Sequence, residues 1–226
     1  MAWIIFVSAP RLVQMSSAFP MTLAEYDDMY GVGSTGTVES SIIYTTLTHP
    51  LAKALAVQTA QEVSALWILP SAFYAMAKTD DIDKLVVDIK EHAATLTPDD
   101  RILFLKGKLE LTRQTHHILN SFLDTPDVNR GCEDGDPCPN TRRRVFLDIH
   151  GILRDLHVHN TDRGSLELAI DYKEKIEESD CCYACRRLTE QKCEQSREES
   201  WKKLPEFFGL PPWEELQRMK EAALTL

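Results

Sequence analysis

Thr97-Pro98-Asp99-Asp100-Arg101-Ile102-Leu103-Phe104-Leu105 carries the strongest helix-start signal in the chain. The threonine supplies a capping hydroxyl, the proline presets the backbone at a first helical position, and two carboxylates follow on the positive end of the helix dipole. Ile102, Leu105, Leu109, Leu119 and Phe122 then recur near helical spacing, which predicts one helix to about Leu123. Upstream, Thr22 and Glu25 have capping-box spacing and Gly31 is a stop, so Leu23 to Tyr30 reads as a short helix. Gly33 to Thr37 is a loop by composition. Pro50 opens an Ala- and Leu-rich helix to about Leu66; Pro70 ends it and opens another, Ser71 to Lys78. Asp80 to Thr95 stays ambiguous, because Leu85-Val86-Val87 suits either a strand or a buried helix.

Downstream, Thr125 to Asn140 is a loop rich in Pro, Gly and Asp that carries Cys132 and Cys138. A helix follows through Val145, Ile149, Ile152, Leu153 and Leu156, then a turn from Asn160 to Gly164. A long polar helix is expected from about Ser165 to Lys203, with room for an interruption near Cys181. Leu204 to Trp213 is dense in proline and aromatic residues, and Glu214 to Leu224 reads as a short amphipathic helix. Period-two alternation and solenoid repeats are both missing, so the expected class is all-α. The expected architecture is an irregular helical domain with a long C-terminal helix and a Pro/aromatic clasp. In that clasp Phe207, Phe208, Leu210 and Trp213 pack back across the helices, since so many exposed aromatics would invite aggregation; the alternative is that they dock onto a partner as anchors.

The chain has 226 residues, 43% hydrophobic and 27% charged, which suits a folded protein with a real core. Its formal net charge of −10 would repel a phosphate backbone, so nucleic acid is not an expected partner. The most apolar runs, Trp3 to Ala9 and Ala65 to Ala77, fall short of the roughly 20 residues a bilayer needs. Met1 to Val7 lacks the basic n-region of a secretory signal. The expected setting is cytoplasmic or nuclear, where six cysteines stay reduced.

Three stretches carry a resemblance. They are Ser16-Ser17-Ala18-Phe19-Pro20 with Thr22 to Tyr26, then Ala65-Leu66-Trp67-Ile68-Leu69-Pro70-Ser71-Ala72-Phe73-Tyr74, and Leu204 to Trp213. In this order they resemble the α-helical region that follows the BTB/POZ domain in fungal BTB-domain proteins. Thr97 to Gly107 and the Cys132/Cys138 loop resemble the same region. The resemblance covers nearly everything after about Arg11, and no BTB module precedes it. It therefore implies residues 1–10 outside the family pattern and a helical post-BTB-like domain over 11–226. That domain divides into a first helical half (11–124), the cysteine loop (125–140) and a second half with the clasp (141–226). It also implies a truncated gene product, with the BTB module encoded upstream of Met1.

Six cysteines, Cys132, Cys138, Cys181, Cys182, Cys185 and Cys193, carry the only constellation with metal-site chemistry. Cys182-Tyr-Ala-Cys185 is a C-x-x-C pair, and Cys132 with Cys138 is a looser one. If the loop folds back onto the long helix, Cys132, Cys138, Cys182 and Cys185 supply the four thiolates of a tetrahedral structural zinc site. The plain alternative has Cys185 and Cys193 packing as small hydrophobes on one helix face, with Cys132 and Cys138 incidental or in a labile disulfide. His116, His117, His150, His157 and His159 show no metal-ligand spacing. Serine-nucleophile, P-loop and dinucleotide signatures are absent, so no cofactor or small-molecule substrate is expected. The acid pairs Asp27-Asp28, Asp80-Asp81 and Asp99-Asp100 are expected at or near helix starts, where capping accounts for them. Arg142-Arg143-Arg144 is expected in solvent or paired with nearby acids. The function expected is a non-enzymatic protein-interaction module with unidentified protein partners. The alternative is a zinc-stabilised regulatory protein.

Overall fold

A computed structural model describes residues 19–30, 50–78, 96–123, 132, 137–159 and 164–225. The expectations for Met1 to Pro10, Gly31, Gly33 to Thr37, Asp80 to Thr95 and most of the 125–136 loop lie outside these residues, as do the side chains of residues 152–159. Of the described residues, 83% are α-helical and none is in a strand. The helices are α1 (Leu23–Tyr30), α2 (Pro50–Glu62), α3 (Leu69–Ala77), α4 (Pro98–Leu123), α5 (Pro137–His159), α6 (Ser165–Glu177), α7 (Tyr183–Phe207) and α8 (Trp213–Leu224). A 3₁₀ turn, Leu66–Ile68, precedes α3. The chain is all-α.

Start signals act as their chemistry dictates. At α1, Thr22 Oγ1 accepts from the Glu25 amide at 3.1 Å, while Glu25 Oε2 accepts from the Thr22 and Met21 amides at 3.2 and 2.7 Å. At α4, Thr97 Oγ1 accepts from the Asp100 amide at 3.1 Å and donates to Asp100 Oδ2 at 2.6 Å. Asp100 is buried and also accepts from Gln61 Nε2 of α2 at 2.8 Å.

Several boundaries differ from the sequence reading. The helix begun at Pro50 stops at Glu62 rather than Leu66, because Ser64 adopts φ +58 and the Ala65 amide bonds back to the Ala60 carbonyl at 2.8 Å. Pro70 thus falls in the first turn of α3 and ends nothing. Helix α5 begins at Pro137, so Cys138 lies on a helix rather than in the loop. The interruption allowed near Cys181 is present as a break over residues 178–182 that separates α6 from α7, and α7 continues through Pro205 to Phe207 rather than ending near Lys203. Asp27 and Asp28 fall in the second half of α1, so capping does not explain them.

The described residues gather into two compact units. The first takes those within 1–77, 81–107 and 202–226. There α2 packs on α3, and α8 packs on the 3₁₀ turn, with Leu216 fully buried. From Leu69 to Met76 every residue of α3 is buried, including Ser71, whose hydroxyl donates to the Pro20 carbonyl. Tyr26 meets Tyr74 edge-on at 5.9 Å. Phe73 is tilted against Phe104 at 6.3 Å and stacked on Phe208 at 5.0 Å. Phe208 is fully buried; Phe207, Leu210 and Trp213 are half-buried around it. The C-terminal aromatic segment therefore folds back within this unit.

The second unit takes the described residues within 78–80 and 108–201. Helix α5 packs on α6, and one apolar cluster joins Ile118, Leu119, Val145, Phe146, Ile149, Leu168, Tyr172 and Ile176 to five of the six cysteines, with Cys132 packed against it. Lys173 of α6 reaches Glu190 of α7 at 2.9 Å, tying the two helices across their connection.

Only part of the spaced set that marked α4 is buried. Leu119 is, but Ile102, Leu105 and Leu109 are each more than half exposed, whereas Asp100, Phe104, Gly107, Leu111 and Ile118 are buried. Both sets obey helical spacing, so periodicity identifies the helix without choosing its inner stripe.

Candidate metal centre

Four of the thiols converge in the second unit. Cys132, Cys138, Cys182 and Cys185 place their sulfurs within 4.8 Å of one another. Cys132 Sγ and Cys182 Sγ are 3.9 Å apart. A Zn–S bond of about 2.3 Å implies tetrahedral S···S edges of about 3.8 Å, so each sulfur would shift by only about half an ångström to close on an ion. These separations are far beyond a disulfide's S–S length of about 2.0 Å, and all six cysteines are thiols.

Local structure explains the convergence. Cys138 is the second residue of α5, Cys185 the third of α7, and Cys182 immediately precedes α7. Two helix N-termini thus meet at the cluster, and the positive end of each dipole favours thiolate over thiol. The Cys182 amide donates to Cys138 Sγ at 3.3 Å, a bond of the kind that supports a metal-bound thiolate. The connection that holds Cys182 is itself pinned. Ser179 Oγ donates to the Ile176 carbonyl at 2.7 Å and accepts from the Cys181 amide at 3.4 Å. Arg186 Nε donates to the Cys181 carbonyl at 2.7 Å.

Electrostatics makes this site one-sided. Burial pushes the Cys138 thiol up to about 11, with the Cys182 amide acting against it. Burial likewise raises Cys185 well above the usual thiol range. Without a cation these groups therefore keep their protons at neutral pH. A divalent ion would supply the charge that lets them ionise, with protons released as it binds. Cys138, Cys182 and Cys185 are buried, and Cys132 is partly exposed.

The remaining candidates are dispersed. Cys181 is buried beside the cluster, its sulfur 4.0 Å from the Cys138 carbonyl, and is not one of the four. Cys193 is buried on α7, where desolvation pushes it up to about 12, and it packs as a small hydrophobe. His116 and His117 are exposed. Arg143 and Arg144 are exposed as expected, but Arg142 is buried, and its charge opposes the rise that desolvation imposes on Tyr172. The supporting roles of Ser179, Arg186 and the two helix ends escaped the sequence reading. The Pro137-Cys138-Pro139 run was the available signal, since prolines are tolerated in a first helical turn. Among the described residues no helix is long and apolar enough to cross a membrane. No family model matches this chain, and neither does any curated protein or solved structure.

Proposed function

We propose that this chain is a non-enzymatic helical module stapled by one structural zinc ion, held by Cys132, Cys138, Cys182 and Cys185. The observation that carries the reading is the mutual approach of four sulfurs from two stretches of chain, 132–138 and 182–185, to within 4.8 Å. Four closed cysteine ligands leave no open coordination position, which is the pattern of a structural rather than a catalytic zinc. A single ion suits the spacing, because an iron–sulfur cluster places inorganic atoms between its cysteines and spreads them over several irons. Interaction with protein partners is the role such a rigid helical surface would serve, and the resemblance to post-BTB helical regions supports that role. The exposed stripe of Ile102, Leu105 and Leu109 adds apolar surface of the kind partners use.

The test is metal analysis of the full chain purified without chelator. One zinc ion per chain is expected, lost when Cys182→Ser and Cys185→Ser are combined. Protein that carries no zinc, and takes up none when reduced and supplied with it, would overturn the reading.

A further inference from the structure

We propose that Cys132 is the point at which a peroxide opens this centre, expelling the metal as a Cys132–Cys182 disulfide forms; the inference rests on the zinc reading above. Two observations carry it. Cys132 is the partly exposed ligand, while Cys138, Cys182 and Cys185 are buried, so a small oxidant reaches its sulfur first. The Cys182 sulfur stands 3.9 Å away, ready to resolve an oxidised Cys132. Closing that gap to the roughly 2.0 Å of a disulfide requires movement of the Cys132 sulfur toward Cys182, whose carbonyl accepts from the Arg186 amide at 3.1 Å and whose connection is pinned.

The chemistry balances. The Cys132 thiolate attacks one peroxide oxygen; an S–O bond forms, the O–O bond breaks, and hydroxide leaves. The sulfur is oxidised by two electrons and the peroxide is reduced. The Cys182 thiolate then attacks the Cys132 sulfur; the S–S bond forms, the S–O bond breaks, and a second hydroxide leaves. Both hydroxides take protons from solvent and end as water. Two of four ligands are gone, and the ion departs from the two that remain. A dithiol reductant attacks the Cys132–Cys182 bond, returns both sulfurs to thiols and leaves as its own disulfide, and the site closes again when zinc is resupplied.

The experiment treats the zinc-loaded full chain with substoichiometric hydrogen peroxide. Released zinc is followed with a chromogenic chelator, and disulfides are mapped by non-reducing peptide mass spectrometry. Zinc release in step with a first disulfide between Cys132 and Cys182 is expected. The variant Cys132→His keeps a nitrogen ligand but lacks the oxidisable sulfur, and should release zinc at least about tenfold more slowly. Cys181→Ala should behave as the parent. A first disulfide joining Cys182 to Cys185 or to Cys138 would overturn the inference while leaving the zinc reading intact. So would release from Cys132→His at the parent rate. A chain that never holds zinc overturns both. If Cys132→His fails to load, the peptide map of the parent decides alone.

Discussion

Gly107 lies in the interior of α4, where glycine is unfavourable by about 0.5–1 kcal/mol relative to alanine. The reason it is there is Phe208. A Cβ on Gly107 would stand 2.0 Å from Phe208 Cδ1 and 2.1 Å from Cε1. That ring cannot swing aside, being fully buried and stacked on Phe73. The chain is able to bring Phe208 there because Gly209 turns at φ +64, closing α7 with a bond from the Leu210 amide to the Pro205 carbonyl at 2.9 Å. Gly107→Ala should therefore destabilise the protein by about 1–3 kcal/mol despite its better helix propensity. Urea denaturation measures this. Equal or greater stability would mean that the ring does not cover the α4 backbone.

At the scale of elements, caps decide where helices start, and they were the most readable feature of the sequence. The Thr97–Asp100 pair at the head of α4 makes three reciprocal contacts, at 2.6, 3.1 and 3.3 Å. Thr97→Ala removes two of them and leaves Asp100 buried with fewer donors. A loss of about 1 kcal/mol is expected, with Thr97→Ser recovering most of it, as read from thermal or chemical unfolding. A Thr97→Ala variant as stable as the parent would mean that the cap contributes nothing. Helix ends were less legible than starts. The stop of α2 depends on a left-handed Ser64, a conformation that serine rarely announces, whereas Gly209 at the end of α7 is the residue expected there. The inner face of α4 was illegible for another reason. Ile102, Leu105 and Leu109 form as good a stripe as Phe104, Gly107 and Leu111, and only packing partners distant in sequence choose between them. The four candidate ligands, by contrast, could be named from spacing and count alone. What the sequence could not supply was that α5 starts one residue before Cys138 and α7 one residue after Cys182, which aims two helix ends at one point.

Across the whole molecule, the two compact units are not consecutive in the chain. Among the described residues, Lys78 groups with those within 108–201, and those within 202–226 group with the N-terminal stretches. The divisions at 107/108 and 201/202 fall inside α4 and α7, where a continuous helix shows no linker composition. A sequence reading that divides the chain at the cysteine loop therefore has no signal from which to find them. This arrangement makes a specific demand on the metal. All four sulfurs belong to the second unit, and they are continuous with its apolar cluster. If zinc occupies the site as proposed, removing it should loosen the start of α5 and the 178–182 connection, because the ion would let buried thiols ionise and hold those turns together. Hydrogen–deuterium exchange of the full chain, with and without a zinc chelator under reducing conditions, measures this directly. Faster exchange is expected in peptides spanning 137–149 and 176–193. Peptides spanning 50–77, which hold α2 and α3 and no cysteine, should exchange at an unchanged rate. Acceleration spread evenly over both sets would mean that the ion governs global unfolding rather than one unit. No acceleration anywhere would mean that the thiols pack well enough without it, and the four cysteines would then be core residues.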